Sequence, residues 1–264
     1  MKKAKKILLG ILLTILVLIL LLVVLLWRFG VKNNKIMYDT IASGMSEVES
    51  RFTVKQLDAG EYTDMKIYGF MKFHVDQYDV EGLGNLSVMR ANMGFMQMFS
   101  FMITPYDRNV PLCTLDYMYI MGNRKSYVEY YDLAGDTQSE EYAQIQAKLR
   151  EMTARYADIE ELPASENWYD NLLNVFMHKQ LSSKEEAQNQ VMFLDALQTY
   201  LNAAETVGEN TPELAAKQLA NTQAYSDGLI EKGGVSTDVF KKSLGEEKTR
   251  DFFDQVFFGT ALHG

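Results

Sequence analysis

The chain has 264 residues, 47% of them apolar, which is enough for one domain with a sizeable core, and its formal net charge is −9. A single cysteine, Cys113, excludes an intrachain disulfide and a cysteine-based metal site, and His74, His178 and His263 are too scattered to suggest zinc. Charge is segregated: residues 1–35 hold seven basic residues and no acidic one, leaving 19 basic against 35 acidic residues beyond, a balance that repels nucleic acid.

Lys2, Lys3, Lys5 and Lys6 open the chain, and the run from Ile7 to Trp27 carries no charge. As a helix that run reaches about 30 Å, the thickness of a hydrocarbon core, whereas a signal peptide's apolar region spans about 7–15 residues. No small-x-small cleavage signal follows it, so residues 1–35 are read as an uncleaved single-pass transmembrane anchor closed by a polar linker, Lys32 to Lys35. Residues 36–264 are then one domain. The four lysines and the terminal amine outweigh Arg28, Lys32 and Lys35, which places that domain on the extracytoplasmic side of the membrane.

Residues 37–57 have helical spacing, with Ile41, Met45, Val48 and Phe52 on one face. A period of two then takes over, as Met65, Ile67, Met71, Phe73 and Val75 alternate with Lys66, Tyr68, Lys72, His74 and Asp76. Further strands are expected at 86–92, 95–103, 114–121 and 126–132, the last two joined by a turn at Gly122-Asn123. Residues 65–133 therefore form an antiparallel meander in the middle of a sheet of five to seven strands. From Thr137 onward the pattern is helical. Residues 182–206 open with Ser183 and Glu186 at capping-box spacing, Thr211-Pro212 starts another helix, and two short helices hinge at Gly245. Strands followed by helices predict an α+β fold, an α/β/α sandwich around a central antiparallel sheet.

Asp116 does not fit its strand, for it shares a face with Met118 and Ile120. Such an acid is either structural, paired with Arg90 or Lys125 or capping a backbone amide, or a proton donor with a pKa raised by desolvation. Met89, Met93, Met96, Met98 and Met102 read as adaptable core packing rather than haem ligands. Tyr117, Tyr119, Tyr127, Tyr130 and Tyr131 would suit stacking on a planar conjugated ligand. Glu129 and His74 read as outward-facing groups.

The segment "FMITPYDRNVPLCTLD" resembles the strand, loop and strand of the ferredoxin-dependent bilin reductases that end in a catalytic Asp. "GGVSTDVFKKSLGEEKTRDFFDQVFFG" resembles the closing helices of that family, and "WYDNLLNVFMHKQLSSKEEAQNQVMFLDALQTYLNAA" is similar to the segment before and through its long helix. The matches span residues 65–259, and the related red chlorophyll catabolite reductases share the fold. The resemblance implies reduction of a linear tetrapyrrole such as biliverdin without a tightly bound flavin, nicotinamide or metal. Electrons would come singly from an external donor protein, and Asp116 falls on the proton-donating Asp. The family's His falls at Phe99 or Ser100 and its Glu at Ser87, while Arg124 and Lys125 are candidates for holding a propionate. The expected partners are thus a membrane, a tetrapyrrole small molecule and an electron-donor protein, with no nucleic acid. A non-catalytic haem or bilin binder, or an interaction domain retaining the fold, is the alternative.

Overall fold

The computed structural model describes residues 2–164, 166–234 and 236–264. Its first element, α1 (Lys2–Glu49), is one uninterrupted helix and runs straight through the expected linker. No proline interrupts residues 32–35, and Asn33 is buried there with its amide donating to Met121 O at 3.0 Å, so tertiary contacts hold the segment helical. The helix also stops earlier than its periodicity predicts. Residues 54–57 pair with a strand instead of extending it.

Eight strands form one antiparallel sheet: β1 (Val54–Leu57), β2 (Asp64–Ile67), β3 (Met71–Val80), β4 (Gly84–Asn92), β5 (Met96–Pro105), β6 (Leu112–Ile120), β7 (Asn123–Tyr131) and β8 (Leu173–Ser182). Their order is β1-β3-β4-β5-β6-β7-β8, with β2 also paired to β3. The meander within 65–133 occupies the middle as expected, but the sheet is wider than the five to seven strands predicted. β8 lies inside the stretch read as helical, although Leu173, Val175, Met177, Lys179 and Leu181 alternate inward there.

Helices cover both faces. The second half of α1, α2 (Glu140–Ala154) and α3 (Glu186–Thr206) pack on one face over Val88, Phe101, Leu115 and Val128. Against the other face lie α4 (Pro212–Lys232), α5 (Thr237–Leu244), α6 (Glu246–Phe252), a π turn (Phe253–Phe257) and α7 (Thr260–His263), over Phe73, Met89, Met102 and Tyr131. This is the expected α/β/α sandwich. Thr211 caps α4 by accepting from Leu214 N at 3.3 Å, and Gly245, at φ 87°, makes the hinge between α5 and α6 that a side chain would strain. The capping box does not form at Ser183. Ser182 donates to Glu185 through N and Oγ, while Glu186 is taken by Arg124.

Candidate functional site

Antiparallel register carries one row of side chains across the sheet: Met89, Ser100, Asp116, Tyr127 and His178 face each other strand by strand from β4 to β8. By the two-residue alternation all of them point toward the C-terminal helices. Asp116 is half-buried in this row. Removal from water pushes its carboxyl from 3.8 up to about 7, and the nearby Glu129 charge adds to the rise. Hydrogen bonds from Ser100 and Thr114 and the charge of His178 oppose it without reversing it.

The bland pairings for Asp116 do not form. Arg90 lies on the opposite face, bonded to Asp76 and set over the Tyr38 ring, and among the described residues no Lys or Arg forms an ion pair with Asp116. Its neighbours come instead from the next row. Thr114 Oγ1 stands 3.4 Å from Asp116 Oδ2 and 3.4 Å from Glu129 Oε2, bridging the two carboxyls. Glu129 also accepts from Tyr131 OH at 2.7 Å and meets His178 Nε2 at 2.8 Å.

Glu129 therefore does not alternate into open solvent. It and His178 are members of the site that sequence reasoning passed over. The usable signal was the shared parity of Asp116 with Thr114 and of Glu129 with Tyr127; His178 needed β8 to be recognised as a strand.

Aromatic rings wall one end. Tyr131 lies 5.1 Å from Tyr225 and 6.1 Å from Tyr169, and Trp168 lies 5.4 Å from Tyr169, centroid to centroid. Burial and the charges of Glu129, Asp170 and Asp116 push Tyr169 up to about 12. Past Asp116 the floor becomes apolar and is less covered, with Met98, Met118 and Ile120 half-buried beside Lys125 and Tyr127. The arrangement is a partly covered sheet face with an acid at its centre, buried aromatic rings at one end and an apolar ramp at the other, the kind of shallow groove in which a ligand could lie.

Of the other expected site residues, Ser100 and Lys125 share this face, Ser100 directly opposite Asp116 and Lys125 opposite Met118. Two are on the other face, and a third is on this face but engaged. Phe99 is fully buried under α3, stacked on Tyr117 at 5.4 Å and edge-on to Phe193. Arg124 is fully buried on that same face, bonded to Glu186 and Asn33 and lying 4.9 Å from the Tyr119 ring, so it is not free to clamp a propionate. Ser87 faces the C-terminal layer, but its hydroxyl donates to Phe257 O at 2.9 Å. Tyr117, Tyr119 and Tyr130 also belong to the α3-side core, leaving Tyr127 and Tyr131 on the groove side.

Two concavities lie away from Asp116: one of about 370 Å³ near Leu57, Tyr62 and Gln255, and one of about 530 Å³ between Tyr156, Val191 and Gln198. Among the described residues no cluster of three His, Cys, Asp or Glu is placed to hold a metal ion.

No protein-family model and no curated protein matches the sequence. A solved structure does match the fold: phytochromobilin synthase from tomato, crystallised in complex with biliverdin, superposes with a TM-score of 0.70 at 14% identity. The match covers 86% of this chain and 84% of that one. The fold is thus bilin-reductase-like.

Proposed function

We propose that this chain, starting from that fold, binds an open-chain tetrapyrrole in the groove over Asp116 and reduces it by single-electron steps with protons from the protein. The observation that carries the reading is Asp116 itself, a carboxyl raised to about 7 in a groove flanked by aromatic rings. A bilin that accepts one electron becomes a more basic radical anion. A neutral carboxylic acid can protonate it at carbon, leaving the carboxylate behind. Two electrons and two protons complete each reduced double bond. The electrons come from an external one-electron donor, and Asp116 regains its proton through Thr114 and the Glu129–His178 pair. Tyr169, half-buried and backed by the buried Tyr131 and Tyr225, is suited to stacking on the conjugated ligand, and Lys125 to meeting a propionate at the ramp.

α1 is the membrane anchor in this reading. It is long and apolar enough to cross a bilayer, and its residues 9–25 are exposed along their length. The lysine excess before the span supports an extracytoplasmic domain. A non-catalytic binder is the second reading, favoured by one observation: the family's His and Glu positions hold a core Phe99 beside Ser100 and an engaged Ser87.

The test is a visible titration of the full chain in detergent with biliverdin and, separately, haemin, followed by addition of a chemical one-electron reductant. A shifted, sharpened bilin band that bleaches under reductant supports the enzyme. A band that shifts and stays unreduced supports the binder, and no shift with either ligand overturns both.

A further inference from the structure

Three hairpins turn at one end of the sheet: Tyr68-Gly69-Phe70 joins β2 to β3, Met93-Gly94-Phe95 joins β4 to β5, and Met121-Gly122 joins β6 to β7. Tips of this kind ordinarily carry polar residues. Here Phe70 is 73% exposed, Phe95 52%, Tyr68 47% and Met121 38%. No local packing accounts for so much apolar surface on neighbouring turns.

α1 passes the same end. A Cβ on Gly30 would lie 2.5 Å from Gly94 O, Asn33 donates to Met121 O, and Asn34 accepts from Asn92 at 3.0 Å. Leu26, Phe29 and Gly30 are half-buried, in contrast to the exposed residues 9–25. Gly30 is three residues beyond the apolar run, only about 4.5 Å along the helix axis. The headgroup layer on each side of a hydrocarbon core is about 5–7 Å deep. The β4–β5 hairpin, which touches Gly30, therefore stands at headgroup depth whenever α1 spans a bilayer; the β6–β7 tip meets α1 at Asn33, about 4.5 Å further along the axis, and the β2–β3 tip turns at the same end of the sheet.

Charge agrees with this placement. Lys66, Lys72 and Lys184 are exposed at this end, beside Arg28 and Lys32 on α1, and among the described residues none of the five is in an ion pair. The domain as a whole is acidic, so these exposed, unpaired lysines beside Arg28 and Lys32 are placed where lipid phosphates would lie.

We infer that the three hairpin tips insert into the headgroup layer of the bilayer holding α1 and seat the domain with the mouth of its groove toward lipid. Asp116, Met118 and Ile120 share a face of β6 that leads to Met121 at the tip, so an amphipathic ligand dissolved in the membrane reaches the acid along an apolar floor. The occupant of this surface is the bilayer itself. The inference rests on α1 being the anchor, and its test separates the two.

Cys113 is fully buried, so a nitroxide label on the full chain reports a single introduced cysteine. Phe70→Cys, Phe95→Cys, Val17→Cys and, at the far end of the sheet, Glu81→Cys would be labelled in phosphatidylcholine nanodiscs. Their spin accessibility to oxygen and to a water-soluble nickel chelate is then compared. The expected result is a deep signal at 17, headgroup-depth signals at 70 and 95, and a fully aqueous signal at 81. Aqueous signals at 70 and 95 with a deep signal at 17 overturn the seating and leave the anchor standing. An aqueous signal at 17 overturns the anchor and the seating together. In labelled Met121→Cys, adding Phe70→Glu and Phe95→Glu should raise nickel accessibility. An unchanged value means the tips are not held by lipid and overturns the inference.

Discussion

Asp116 titrates at about 7 when folded against 3.8 for a free carboxyl, so the folded chain keeps a proton that the unfolded chain releases between those values. Stability therefore falls as pH rises through roughly 4 to 7, where the unfolded state binds fewer protons. Asp116→Asn should abolish that slope. Its gain at pH 8 should be on the order of 1–2 kcal/mol, less than the full shift implies because Asp116 is only half-buried, with none at pH 4, read by denaturant unfolding. The same variant should keep the biliverdin binding spectrum and lose about 10²–10⁴-fold in reduction rate, and wild-type turnover should decline as pH rises past about 7. Arg124 tests the opposite expectation. Arg124→Leu leaves Glu186 and Asn33 without their partner and should cost about 3–5 kcal/mol of stability, whereas a propionate clamp would lose affinity with little effect on folding.

Among the elements, the C-terminal π turn is held by side chains of the sheet. Gln77 donates to Gln255 O at 2.9 Å, Asn85 donates to Val256 O and Phe257 O at 3.2 Å each, and Ser87 donates to Phe257 O. Carbonyls that a regular helix would satisfy internally are satisfied from β3 and β4, which fixes where the groove's cover begins. Asn85→Ala leaves Val256 O without its side-chain donor and Phe257 O with Ser87 alone, and should cost about 1–3 kcal/mol, with faster amide exchange at Phe258 as its local signature. α1 and the β4–β5 hairpin meet without room for a side chain. Gly30→Val should push them apart at a cost of about 1–3 kcal/mol, seen as a lowered Tm, while a similar change at the open Gly10 should have little effect.

For the whole molecule, one continuous helix couples the apolar run to the domain, so the orientation of the sheet relative to any membrane is set by the helix and not by a flexible tether. The orientation proposed from the lysine asymmetry has the domain outside the cytoplasm, and under it protease added to intact cells should remove the domain. Protection in intact cells with digestion in broken ones would reverse the orientation and bring the groove within reach of a cytosolic electron donor.

The sequence by itself determined the layered fold and the odd position of Asp116, because alternation and apolar runs are local signals that survive in any tertiary setting. It also exposed the apolar run of α1, whose length needs no fold to be read. Tertiary structure alone decided what surrounds the acid. Phe99 and Ser100, or Arg124 and Lys125, are adjacent in the chain, yet strand parity sends one of each pair into the α3-side core and the other to the groove. Glu129, His178, Tyr169 and Tyr225 converge from four separate segments, and no spacing rule links them. The expected linker became helix for the same reason: Asn33 and Asn34 are polar in sequence but find their hydrogen bonds in Met121, Arg124 and Asn92, partners distant in the chain that only folding brings within reach.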